Sequence, residues 1–556
     1  MRYLFFLFLL SACSTNQQIN EADLILTSNK VILMTGNEQA EALSIAIKNQ
    51  EIIWIGTHEK AERIQGKHID YGDQAILPGF IDAHGHASYL AFATQVANLA
   101  SPPVGTVNNI KELQSELKKF IKDSNLKPGE WVMGLGYDDS LLAEKRHPTK
   151  DDLDEVSTEH PIYLIHVSAH LGAANSLGLK LANINSKTQD PPGGKIRRYV
   201  NSLEPNGVFE ETAAYPLQQL AMSSYKDPIG SVKKAMQIYA RNGITTVQDG
   251  ASSPETIALI QAADARGMIN LDVISFPVGQ NGLDQNLDSI NFGEYEGRLK
   301  IGGIKLILDG SPQGKTAYLT KPYYKPPHSE LDSYTGYPLI PQLEVSKWVK
   351  RYADLNIPIM AHANGDAAAD MLIKAVESAR IGTDHRTVMI HAQTVREDQL
   401  DNIKSLGIVP SFFSTHTFYW GDWHRDSVFG LDRASRISPT KSALDRNIPY
   451  TVHNDAPVVP PDMIRLLWST TNRLTRSGKT LGLEQRISTY EALKAMTVNG
   501  AYQHFEEKTK GTIEVGKLAD LVVLSEDPLH IPAEDILKLK VVATYSHGKQ
   551  IFSINN

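Results

Sequence analysis

Short apolar β-type runs recurring between helical stretches constrain this chain more than any other feature. They lie near Ile76–His84, Ile244–Gln248, Asn270–Ser275, Gly303–Leu308, Ile357–His362, Thr387–His391, Gly407–Ser411 and Pro449–His453. Strands separated by helical segments pair in parallel, because a parallel neighbour needs a crossover connection. Eight such units predict an α/β fold, a (β/α)8 TIM barrel over residues 76–505. The gap after the first strand, residues about 90–242, exceeds one crossover and predicts a large insertion. It holds its own strand, Ile162-Tyr163-Leu164-Ile165-His166-Val167, and a turn at Asp190-Pro191-Pro192-Gly193-Gly194. β-rich stretches flank the barrel at 23–75 and 506–556. Each is too small to bury a core alone, so the two ends are expected to build one small β-sandwich.

Composition excludes several classes. The 556 residues carry 55 Lys+Arg against 63 Asp+Glu, a net charge of −8, with 42% hydrophobic and 21% charged residues. That is ordinary globular usage and excludes disorder and a polytopic membrane protein. The acidic balance argues against a nucleic-acid partner, which calls for a basic face. No feature sets an oligomeric state. Cys13 is the one cysteine, so a metal site must be built from the 18 His and the carboxylates.

The N-terminus pairs Met1-Arg2 with an apolar run, Tyr3 to Leu10, and then Ser11-Ala12-Cys13-Ser14. A charged start, a short apolar run and small residues describe a secretory signal, too short to span a bilayer. Leu10-Ser11-Ala12-Cys13 resembles the bacterial lipobox, which implies cleavage before Cys13 and lipidation of its thiol. The expectation is a signal segment 1–13, a polar tether 14–22 and a protein lipid-anchored in the bacterial cell envelope. Ser14 in place of Asp points to the outer membrane, facing the periplasm. An ordinary signal peptide containing a cysteine is the alternative.

Active sites of (β/α)8 barrels lie at the C-terminal strand ends. The first run ends Asp82-Ala83-His84-Gly85-His86, with two histidines two apart, which alternation sends to one face. The fifth run ends in His362, the sixth in His391 and the eighth in His453-Asn454-Asp455. A lone histidine on an apolar strand is usually a hydrogen-bonded core residue. His84, His86, His362 and His391 with Asp455, all at matching ends, point to a metal centre. Imidazole and carboxylate ligands suit Zn²⁺ first, and Mn²⁺, Ni²⁺ or Fe²⁺ by the same chemistry. Lys305 interrupts the fourth run, Gly303-Ile304-Lys305-Leu306-Ile307-Leu308-Asp309. A buried ammonium needs a partner or loses its charge, and Asp309 or Asp455 is the expected partner.

Ile76-Leu77-Pro78-Gly79-Phe80-Ile81-Asp82-Ala83-His84-Gly85-His86 resembles the opening metal motif of the amidohydrolase superfamily, and Gly511 to Leu524 resembles its closing motif. Ile304-Lys305 with Asp309-Gly310-Ser311, His362-Ala363-Asn364-Gly365-Asp366 and Asn454-Asp455-Ala456-Pro457 are similar to the YtcJ-like branch, amidohydrolase family 3, which includes N-substituted formamide deformylases. The resemblance spans Asp23 to Phe552. It implies one or two divalent ions: His84, His86 and Asp455 for one, His362 and His391 for the other, with Lys305, carboxylated in binuclear members, as the bridge. It also implies that Asp455 takes a proton from metal-activated water and passes it to the leaving nitrogen. His170, in Ser168-Ala169-His170-Leu171-Gly172, matches a segment reaching over the active site, and either substrate contact or a structural role fits it. His453 is expected to pack behind the ligands.

Gly310-Ser311-Pro312-Gln313-Gly314-Lys315-Thr316 looks like a phosphate-binding loop but has three residues between its glycines where four are needed. Ser311 is outside any G-x-S-x-G elbow. The expected function is metal-dependent hydrolysis of a non-peptide C–N bond, amide or formamide in type, in a small molecule. The alternatives are an ester or lactone C–O bond, or a non-catalytic lipid-anchored binding protein on the same scaffold.

Overall fold

Ala75–Pro78 joins the two ends of the chain. In the computed structural model, which describes residues 19–223, 225–279, 287, 290–327 and 330–555, this strand pairs in parallel with Glu21–Val31 and antiparallel with Leu521–Leu524, Leu77 facing Val522. Glu41–Lys48, Glu51–Gly56, Gln65–Asp70, Val541–Ser546 and Lys549–Ser553 complete an eight-stranded sheet. The two ends, expected to build a small β-sandwich, meet within one hydrogen-bonded sheet. Cys13 and residues 1–18 lie outside the described residues. Among the described residues, no helix is long and apolar enough to cross a membrane.

The expected first barrel strand is divided. Ile76 to Pro78 belongs to the terminal sheet, and only Phe80–Ile81 pairs with Ile244–Ser252 in the ring. Gly79 makes the break: its N–H donates to Asp520 O, and a Cβ there would meet the Thr245 side chain at 2.4 Å. A short extra strand, Leu299–Ile301, also enters the ring, paired with Asp272–Pro277.

The other strands stand close to their expected positions, at Ile304–Ile307, Ile359–Ala363, Val388–His391, Val409–Phe412 and Thr451–Val452, all joined in parallel. They make one arc, and Phe80–Ile81, Ile244–Ser252, Asp272–Pro277 and Leu299–Ile301 make the other. A closed (β/α)8 barrel was expected; among the described residues the ladder is not closed, and these strands form two separate hydrogen-bonded arcs. At one seam Leu299–Ile301 occupies the edge of Asp272–Pro277, and among the described residues the arcs meet through the bridge of Val278 to Lys305. At the other the strands are two residues long, and contact passes to the loops through Asp455 N to His84 O at 3.1 Å and His86 N to Ala456 O at 2.8 Å. Ile274, Phe276, Met360, Val388, Ile390 and Val409 form one buried cluster drawn from both arcs.

Helices cover the outside by ordinary amphipathic logic. In Gln342–Asp354 the buried residues Val345, Val349 and Tyr352 recur at helical spacing, and burying each such side chain stabilises by roughly 1.5–3 kcal/mol. Pro254–Asp264 starts where the Ser253 side chain accepts from Thr256 N and Pro254 takes a position needing no N–H donor.

The long segment after the first ring strand builds a second sheet. Its six strands run in the order Gly194–Arg198, Pro205–Glu211, Leu171–Ala174, Ile162–His166, Val132–Tyr137 and Ala97–Asn98. Its loops reach the C-terminal ends of the ring strands.

Candidate metal centre

The expected ligands converge, though the first pair does so by a different route. His84 and His86 lie beyond the strand end at Ile81, so strand alternation does not aim them. Their loop is clamped by Asp455 N to His84 O, His86 N to Ala456 O and Gly250 N to Gly85 O. Asp455 is the focus. Its Oδ1 lies 3.0 Å from His86 Nε2 and 3.4 Å from His84 Nε2, and its Oδ2 lies 3.9 Å from His391 Nε2. One ligand atom from each of His84, His391 and Asp455 falls within 4.8 Å of the others, a spacing one ion can bridge. His362 joins through its ring, 4.5 Å from that of His391, and Lys305 Nζ lies 3.4 Å from His84 Nε2.

Three of the four imidazoles are held from behind. His84 Nδ1 meets Gln248 Oε1 at 2.6 Å, His362 Nδ1 meets Asp309 Oδ1 at 3.1 Å, and His391 Nδ1 meets His453 Nε2 at 3.1 Å. Anchoring Nδ1 leaves Nε2 of His84 and His391 to face Asp455, the usual arrangement around a metal, while His362 Nε2 accepts from Asn364 Nδ2 at 3.2 Å. Asp309 was expected as a partner for Lys305. It instead accepts from His362, from the N–H groups of Asn364 and Gly365, and from Tyr318 N, because it lies past its strand end among the loops.

Burial sets the protonation states. It pulls His84, His362 and His391 well below the usual imidazole range, with neighbouring cationic groups adding to the effect, so their lone pairs are available. Burial brings Lys305 down to about 7, opposed by Asp455. Burial alone would raise Asp455, but its hydrogen bond with His86 and the surrounding cationic groups hold it below the usual range. Asp82 is pushed up to about 8 by burial first and then by Asp455. His391 and Asp455 take left-handed backbone, φ 70° and 57°, a strained conformation that clusters at functional sites.

The centre opens into a cavity of about 590 Å³. His84, His86, Lys305, His362, His391 and Asp455 line one part, and Ser168, His170, Glu211 and Tyr215 from the insertion line another. His170 therefore lines the same cavity as the centre. Its Nδ1 lies 2.7 Å from Glu211 Oε2, which raises its pKa against the effect of burial, and its ring lies 5.2 Å from that of His362. Phe413 also lines this cavity, whereas Phe412 and Tyr137 are core.

Gln248, Glu211 and the backing role of Asp309 escaped sequence reasoning. Gln248 had a visible signal, a polar residue closing the apolar run Ile244-Thr245-Thr246-Val247. Glu211 had none, since it sits in a strand of the insertion whose pairing is not written in local pattern.

A family model described as Amidohydrolase family matches residues 67–552. N-substituted formamide deformylase of Arthrobacter pascens is 28% identical, over 94% of this chain and 97% of its own. Protein LONG AFTER FAR-RED 3 of Arabidopsis thaliana is 26% identical over 96% of this chain and 92% of its own. A crystal structure of a metal-dependent hydrolase from Pyrococcus horikoshii superposes with a TM-score of 0.72 at 22% identity, covering 92% of this chain and 99% of that one, and shares the fold. With the converging His and Asp residues and a match across almost the whole chain, the protein belongs to the amidohydrolase family, family 3, and is a hydrolase.

Proposed function

We propose that this protein hydrolyses a non-peptide C–N bond, amide or formamide in type, in a small molecule, on a (β/α)8-type ring whose two arcs frame the centre. The convergence of His84, His86 and His391 on the Asp455 carboxylate carries this reading. Full-length similarity to a formamide deformylase supports the bond type. The donor set fits a divalent ion: His84, His362 and His391 are neutral imidazoles with Nδ1 already engaged, beside an ionised carboxylate. Zn²⁺ leads the candidates by ligand chemistry. A bound ion supplies Lewis acidity, polarising a carbonyl and making water a better acid.

The chain's own groups do the rest. His84, His86 and Asp455 would hold one ion, and His362 and His391 a second. Lys305, with its amine pulled toward neutrality, is the group that carboxylation would turn into a bridge. Asp455 accepts a proton from the attacking water and returns it to the leaving nitrogen. His170, fixed by Glu211, faces the substrate from the insertion and orients it. Lipidation of Cys13, with anchoring at the outer membrane, belongs to the same proposal. Cys13→Ala should release the protein from membranes and abolish labelling by a palmitate analogue.

The deciding experiment is a hydrolysis screen of N-formyl, N-acyl, cyclic-amide and ester compounds with Zn²⁺-reconstituted full-length chain. Amide or formamide turnover supports the proposal. Ester or lactone turnover alone replaces it with the C–O reading, and metal binding without any turnover favours a binding protein.

A further inference from the structure

Away from this centre, a second group of metal-capable side chains lies inside the insertion. Val132–Tyr137 and Ile162–His166 pair in parallel with Tyr137 opposite His166. That register sets Asp139, two residues past the first strand, beside the end of the second. His147 comes in from the segment leading to Lys150–Asp154. The histidines take one carboxylate oxygen each: His147 Nε2 is 3.5 Å from Asp139 Oδ2, and His166 Nε2 is 3.1 Å from Asp139 Oδ1. One ligand atom from each of the three falls within 4.8 Å of the others.

We propose that Asp139, His147 and His166 form a separate divalent-metal site, of the Zn²⁺, Co²⁺ or Ni²⁺ class, that ties down the loop carrying Ser168 and His170. Two imidazoles and one carboxylate suit these ions better than Ca²⁺ or Mg²⁺, which take oxygen ligands. Both imidazoles are buried, while the Asp139 side chain keeps 21% exposure, an entry path and room for a water ligand. His147 Nδ1 faces Tyr137 Oη at 3.2 Å and His166 Nδ1 faces Ser168 Oγ at 2.8 Å, hydroxyls able to accept the Nδ1 proton and leave Nε2 for an ion. Burial holds His147 down at about 3, so it is neutral at pH 7. The nearby cations have their own partners: Arg197 binds Glu210 at 2.6 Å, and Lys315 donates to Lys325 O and Ser427 Oγ. The competing arrangement is an ion-free cluster, favoured by the Ser168 N–H, which also points at His166 Nδ1 from 3.2 Å.

Ser168 and His170 line the cavity over the main centre. An ion at His166 therefore acts two residues from Ser168 and four from His170. Its expected role is structural, orienting the cavity wall.

Metal analysis after equilibrium dialysis against Zn²⁺ tests this on the full chain, alone and as His84→Ala/His391→Ala, His147→Gln/His166→Gln and the quadruple variant. The His147→Gln/His166→Gln change should remove one ion per chain in both backgrounds. A folded His147→Gln/His166→Gln chain with the parent's metal content overturns the site and supports the ion-free cluster. The site does not depend on the hydrolase reading, because failure of the main centre shows in the His84→Ala/His391→Ala chain alone. If the His147→Gln/His166→Gln chain does not fold, Co²⁺ titration of His84→Ala/His391→Ala decides. One equivalent bound with visible d–d absorption supports the site, and no binding overturns it.

Discussion

His391 Nδ1 stands 3.1 Å from His453 Nε2, and His453 Nδ1 stands 2.8 Å from Ser411 Oγ. Two histidines that look alike in sequence, each closing an apolar strand, thus have different tasks. His391 faces the cavity, and His453 is fully buried behind it. Ser411 meets Thr451, Thr451 meets Gln503, and Gln503 donates to Ala83 O beside His84. The support of one candidate ligand thus passes round the ring to the backbone of another.

This relay makes His453 a positioning residue. His453→Phe keeps a planar aromatic ring, somewhat larger than imidazole, and deletes the acceptor for the His391 Nδ1 proton. Loss of such a partner typically weakens metal binding 10- to 100-fold. Zn²⁺ titration with a competing chelator should show that loss, while saturating Zn²⁺ restores most of the activity. Unchanged affinity would separate His453 from the centre.

The candidate ligands should behave differently. His84→Ala and His391→Ala each remove a nitrogen facing Asp455, so both should lower metal content and abolish hydrolysis even at saturating metal. The metal-loaded parent should also outlast its chelated form on heating, since a ligand at 100 times its Kd stabilises the folded state by about 2.7 kcal/mol. Elemental analysis and melting curves check both. Full metal content in the two variants would refute the assignment.

Much of this was legible in the sequence, for physical reasons. Strands buried on both faces read as continuous apolar runs, so Ile359–Ala363 and Val388–His391 stand out, with their histidines at the informative ends. Local pattern does not carry register or sheet membership. Nothing in Ile76-Leu77-Pro78-Gly79-Phe80-Ile81 says that Gly79 hands the chain from one sheet to another, because the partner groups, Asp520 O and Thr245, are distant in sequence. The same limit hid the pairing of Asp309 with His362 and the closeness of Glu211 to His170, contacts across 53 and 41 residues.

Lys305 separates stability from function. It is fully buried, and desolvation brings its amine to about 7. A methionine fills similar space with no amine to desolvate, and the downward shift of Lys305 means that desolvation outweighs the pull of Asp455 on its charge. Lys305→Met should therefore melt no lower than the parent when both are metal-free, while activity falls by a factor of about 100 or more, as expected on losing a group that touches the centre. A melting temperature that falls together with the activity would make Lys305 structural.

Acid should weaken the fold through groups outside the centre. Burial holds His424 and His504 at about 3. In the unfolded chain each regains an ordinary value near 6.5, so below that pH the unfolded state binds protons that the folded state refuses. Their contribution is complete above about pH 6.5 and is lost as pH falls toward 3, each histidine removing up to about 1.4 kcal/mol per pH unit. Glu506 extends the trend. Burial would raise it, but Lys510 and Lys300 hold it at about 2, so its contribution is lost between about pH 4.3 and 2. Between pH 7 and 5 the histidines therefore act and Glu506 does not, with a combined loss of about 4 kcal/mol from His424 and His504. Melting curves across this range should fall less steeply for His424→Gln/His504→Gln than for the parent. A Glu506→Gln chain should follow the parent's slope down to pH 5 from a lower starting point, because Lys300 and Lys510 lose a buried counter-charge at every pH. Parallel curves for the parent and the double-histidine variant would show that these imidazoles do not drive the acid sensitivity.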